Sequence, residues 1–115
     1  MAVIDWTQFN ENFQYYDKSI ILEVIGIFFE EYDTRITTLQ KNIDENDFTA
    51  LAFNAHSLKS VISNYMAPSA LEITRKLEEI GKNKDGENMH ETFSELKNIT
   101  QELLIELKDY VNRMQ

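Results

Sequence analysis

The chain has 115 residues, enough for one compact domain with one core, and its 43% hydrophobic content with seven Phe, five Tyr and one Trp rules against disorder. Three Gly and one Pro supply too few turn signals for a strand-rich fold, and the absence of cysteine excludes disulfides and thiolate metal sites. A net charge of −9 repels nucleic acid and anionic lipid surfaces, and no apolar run or basic-then-apolar leader suggests a span or a signal, so a cytoplasmic domain over residues 1–115 is expected.

The opening "IDWTQFNENF" predicts a short helix across the end of the molecule, anchored by Trp6 and Phe9. Leu22, Ile25, Phe29, Tyr32, Ile36, Leu39 and Ile43 then advance in steps of three and four, which predicts one amphipathic helix from Lys18 to Ile43 with Asp17 as its cap. Gly26 falls inside it, where a glycine costs stability, so a closely packed neighbour is expected there. The polar stretch Asp44–Asp47 turns the chain and offers Asn46 or Asp47 as the next cap.

Phe48, Leu51, Ala55, Leu58, Ile62 and Tyr65 draw the stripe of the next helix, and Pro68 fits the first turn of the one after it. Leu71, Thr74, Leu77 and Ile80 form that helix's inner face, and "GKNKDGEN", residues 81–88, reads as a loop. Asn88 with Glu91 three residues on resembles a capping box for a last helix, whose inner face is Phe93, Leu96, Thr100, Leu103, Leu107, Tyr110 and Met114. The expected fold is therefore all-α: an antiparallel four-helix bundle with a short additional N-terminal helix.

Chemistry narrows to "FNAHSLKSVISNY", residues 53–65. His56 lies one residue off the core stripe, and its neighbours on the same face are Ala52, Ser60 and Ser63, none long enough to shield an imidazole. Lys59 follows at i+3 on that face. A partly neutral imidazole is a nucleophile toward phosphorus, and a cation one turn away offsets charge on a phosphoryl group. The same spacing is also met by an ordinary solvated face. The other histidine, His90, closes a Glu-x-x-His match from Glu87, but bundle metal sites need two such motifs, so no metal is expected. With neither a nucleophile elbow nor a Gly-rich phosphate loop, the chain lacks an ATP site and is not expected to be an enzyme in its own right.

The stretch "AHSLKSVISNYMAP" resembles the signature of histidine-containing phosphotransfer (HPt) domains, in Ala55, His56, Leu58, Lys59, Ser60 and Asn64, and the order of helices along the whole chain matches that family's four-helix bundle. The resemblance implies that His56 accepts a phosphoryl group and that Lys59 stabilises it. It also implies that Glu78, 22 residues after the histidine, hydrogen-bonds the other ring nitrogen. Arg75 on the same helix would add positive charge. The partners implied are receiver domains of response regulators or hybrid histidine kinases, with magnesium held by the receiver and no cofactor here. Ser60, Ser63, Phe53, Ala52 and Arg75 would border the docking surface, joined by Ile4, Trp6 or Phe9, and a monomer is expected. Two positions depart from the pattern: Ser60 and Met66 stand where the family often has glycine. The competing expectation is a helical interaction module that docks through the same face without phosphorylation.

Overall fold

Asp5 starts the first helix by accepting the Gln8 N–H on its side chain at 3.1 Å, and α1 then runs Trp6–Phe13. The computed structural model describes residues 2–115, and among them every regular element is helical. After α1 come α2 (Lys18–Asp44), α3 (Phe48–Ile62), a single 3₁₀ turn (Ser63–Tyr65), α4 (Pro68–Asn83) and α5 (Met89–Met114). The 27 residues of α2 span roughly 40 Å at 1.5 Å per residue, which sets the 42 Å long axis of the molecule. Contacts of α2 with α3, α3 with α4, α4 with α5 and α5 with α2 close a four-helix bundle around one core.

The inner stripe of α2 is turned from the expected one in its first half. Ile21, Ile25, Phe28 and Tyr32 are buried there, while Leu22 and Phe29 are half-buried. Phe28 is drawn inward because its ring stacks on Tyr65, with centroids 5.4 Å apart, at the end of α3. Lower down the helix, Tyr32 donates or accepts a buried hydrogen bond with Thr100 of α5 at 2.7 Å. Among the described residues Gly26 has no close neighbour; a Cβ there would meet none of them within 4 Å, so the packing expected around it is absent.

The close approach lies elsewhere. A Cβ on Gly81 would come within 2.6 Å of the Ala52 backbone nitrogen, so α3 and α4 touch almost backbone to backbone at that crossing. Gly81 is accordingly helical and buried, and the loop expected from residue 81 begins only after Asn83. Caps are mixed. Asp47 caps α3 by accepting the Ala50 N–H at 3.1 Å, whereas Asp17 and Asn88 occupy cap positions without a side-chain capping bond, and no capping box with Glu91 forms.

The N-terminal segment is tied at two points. The Glu106 carboxylate accepts the N–H groups of Val3 and Ile4, and the Asp5 N–H donates to the Met66 carbonyl at 2.7 Å. Trp6 stacks on Tyr110 with centroids 5.6 Å apart, so α1 is pinned between the end of α5 and the turn after α3.

Candidate functional site

The register of α3 decides which side chains are outward. Leu51, Ala55, Leu58 and Ile62 are buried in the core, so the residues between them divide among three directions. Toward α2, Asn54 donates to the Asn42 side chain at 2.8 Å and Ser57 accepts from Arg35 at 3.0 Å. Toward α4, Lys59 meets Glu78 and Ala52 meets Gly81. Outward stand Phe53, His56, Ser60 and Ser63, and the His56 side chain is 61% exposed.

Glu78 is the hub beneath the histidine. Its side chain is only 3% exposed, yet three cationic or hydrogen-bonding groups converge on it. His56 Nδ1 lies 2.8 Å from Oε2, Lys59 Nζ is paired with Oε1, and Lys82 Nζ is 3.2 Å from Oε2. Burial pushes the Glu78 carboxyl up, but the Lys59, His56 and Lys82 groups together outweigh that and hold it at about 2. An ionised carboxylate can only accept, so the proton of a neutral His56 ring sits on Nδ1 and donates to Glu78. That leaves the Nε2 lone pair free on the exposed side of the ring.

The surroundings keep that nitrogen reachable. Ser60 donates its hydroxyl to the His56 carbonyl at 3.1 Å, and Ser63 donates to the Ser60 carbonyl at 2.6 Å. Both side chains therefore fold back onto their own helix and leave a low surface beyond the ring. An open groove runs from Lys59 and Ser60 to Pro68, Leu71 and Arg75. Phe53, one turn before the histidine, is 73% exposed.

A family model described as "Hpt domain" matches residues 23–114. The chain belongs to the Hpt family. Hpt domains are histidine phosphotransfer modules of two-component systems that interact with receiver domains, and they are distinct from kinases that carry an ATP site. No curated protein and no solved structure gives a significant match. No helix among the described residues is long and apolar enough to cross a membrane.

Within this Hpt fold the expected residues separate into two groups. His56, Lys59 and Glu78 come together, and Phe53, Ser60 and Ser63 flank them on the outer face of α3. Ala52 turns instead to the α4 crossing, so it serves the helix contact rather than the exposed face. Arg75 borders the groove, but its guanidinium is engaged by Glu72 at 2.7 and 3.0 Å, so its charge is already matched. Ile4 and Phe9 are buried and Trp6 is stacked on Tyr110, because α1 spends its aromatic face on the core; none of them offers the free docking patch expected of the leading segment. Glu87 and His90 are exposed at the start of α5, away from the hub. Lys82 was not expected. The signal for it was its place four residues after Glu78 on the same helix, where opposite charges meet.

Proposed function

We propose that this chain is a phosphorelay intermediate in which His56 takes a phosphoryl group from the aspartyl phosphate of one receiver domain and passes it to the aspartate of another. The observation that carries this reading is the His56–Glu78 pair: a buried, ionised carboxylate holds Nδ1–H, and Nε2 is left as an exposed nucleophile. In the forward step the Nε2 lone pair forms an N–P bond, the P–O bond to the receiver's aspartate breaks, and the aspartate carboxylate leaves with that electron pair. In the onward step the next receiver's carboxylate attacks phosphorus and the N–P electrons return to Nε2. Phosphoryl transfer asks mainly for positioning and charge neutralisation; Lys59 would supply charge from this chain, and a magnesium ion held by the receiver would supply it from the partner.

The docking surface is the outer face of α3 around His56, with Phe53 on one side and Ser60 and Ser63 on the other. Ile20 and Ile27 are also exposed, on α2, the helix that packs against α3. The 115 residues act as one unit and as a monomer, and need no cofactor of their own. Incubation with a phosphorylated receiver domain tests the reading: wild type takes up label, and His56→Gln takes up none while keeping its helical signal. Binding of receivers without any label on wild type would replace the relay with a docking module.

A further inference from the structure

Glu78 has more positive charge around it than orienting one imidazole requires. His56 and Lys82 share Oε2, while among the described residues Lys59 alone meets Oε1. The three partners differ in freedom. His56 is fixed by its own hydrogen bond, Lys59 is 29% exposed on α3 beside the histidine, and Lys82 is 56% exposed on α4, the helix that carries Glu78. If Lys59 is to stabilise a phosphoryl group on Nε2, it must give up Oε1 at the moment negative charge gathers on the other side of the ring. A carboxylate this well buried resists losing its counter-charge.

Resting on the phosphotransfer reading above, we propose that Lys82 is a positioning residue that releases Lys59. It stays with Glu78, four residues back on the same helix, and supplies the counter-charge while Lys59 swings from Oε1 to the phosphoryl oxygens. Its partial exposure gives the ammonium room to move along the carboxylate without leaving it. Without Lys82, Glu78 competes harder with the phosphoryl group for its one remaining lysine. Lys59 is then held back, and transfer slows although no group that touches phosphorus has been removed.

Phosphoramidate, a small phosphoryl donor, isolates the chemistry from docking. His56 Nε2 attacks its phosphorus, the donor's P–N bond breaks, and ammonia leaves with that electron pair. Rates of His56 labelling on the full chain would be compared for wild type, Lys82→Met, Lys82→Arg, Glu78→Gln and Glu78→Gln/Lys82→Met. The expected result is a slowing of about three- to fivefold in Lys82→Met, the size of one partly exposed ion pair, with recovery in Lys82→Arg. In the Glu78→Gln background the same Lys82→Met change has no effect, since a neutral amide does not hold Lys59. A helix-stability role through the same i,i+4 pair would also be lost in that background, so urea unfolding of Lys82→Met separates the two: slowed labelling under conditions where the chain is fully folded is a positioning effect. Lys82→Met labelling at the wild-type rate, or slowing equally with Gln at residue 78, overturns the inference alone. Absence of labelling on folded wild type from both phosphoramidate and a phosphorylated receiver overturns the phosphotransfer reading as well.

Discussion

Gly81→Ala tests whether the α3–α4 crossing sets the height of Glu78 beneath His56. The added Cβ would lie 2.6 Å from the Ala52 nitrogen and 2.9 Å from its Cα and Cβ. These are backbone and near-backbone atoms, so no rotamer change relieves the contact. To regain 3.4 Å the two helices must part by about 0.8 Å at this point. Overpacking of that kind costs about 1–3 kcal/mol, against which alanine's helix preference returns about 0.5–1. The net expectation is a loss of about 1–2 kcal/mol, or a fall in Tm of roughly 3–10 °C for a chain of this length. Glu78 lies one turn before Gly81, so the same displacement stretches the His56–Glu78 hydrogen bond from 2.8 Å toward the limit where it fails. Urea unfolding reads the stability, and the imidazole nitrogen resonances of His56 read the loss of a fixed Nδ1–H tautomer. Gly26→Ala is the internal control: with none of the described residues within 4 Å of the new methyl, it should stabilise by about 0.5–1 kcal/mol. If Gly81→Ala stabilised the protein as Gly26→Ala does, α3 and α4 would not meet backbone to backbone at residue 81.

Other outcomes follow from the same geometry. The Glu78 carboxyl is held at about 2, below its ordinary value of 4.5, so its contribution to stability is complete above pH 4.5 and is lost as pH falls toward 2; the stability difference between wild type and Glu78→Gln should shrink over that window in urea titrations, and a constant difference would contradict it. Lys84 ends α4 at φ 53° with an exposed side chain, so Lys84→Gly should raise stability by about 1 kcal/mol in thermal melts, whereas a decrease would mean the lysine makes a contact worth more than the strain. Lys59→Ala should slow transfer from a phosphorylated receiver more than it weakens receiver binding, which rapid mixing separates; lost binding at an unchanged rate would make Lys59 a docking residue. Ser60→Gln should block receiver approach in a folded domain while Ser60→Ala transfers normally, and fast transfer by the Gln variant would move the docking face elsewhere.

Much of this was legible because helical periodicity is a property of the chain itself. The stripes through Leu51, Ala55, Leu58 and Ile62 and through Phe93, Leu96, Thr100, Leu103 and Leu107 are the buried faces of α3 and α5. The exposure of His56 followed from the same counting, since its helical neighbours are too small to cover it. Where periodicity had to choose between adjacent apolar residues it failed: Ile21 and Leu22, or Phe28 and Phe29, differ only in what lies opposite, and Tyr65 decides for Phe28. The glycines misled for a related reason. Gly81 looked like the start of a loop but serves a helix contact, and the left-handed turns after α3 and α4 fall on Met66 and Lys84 instead. Met66 stands where the family often has glycine, and its backbone keeps the left-handed conformation at φ 54°. Side-chain hubs are harder still. Lys82 acquires a role only once Glu78 is known to be buried beneath the histidine, and burial on α4 depends on how closely Gly81 lets the helices approach.

The central claim is that Nε2 of His56, and no other atom, accepts the phosphoryl group. Chain labelled with ¹⁵N at histidine and phosphorylated by a receiver domain would show this directly in nitrogen–phosphorus correlation spectra. The account predicts one coupling, to Nε2 of His56, with Nδ1 still protonated against Glu78. Phosphorus on Nδ1 of His56, or on His90, would contradict it.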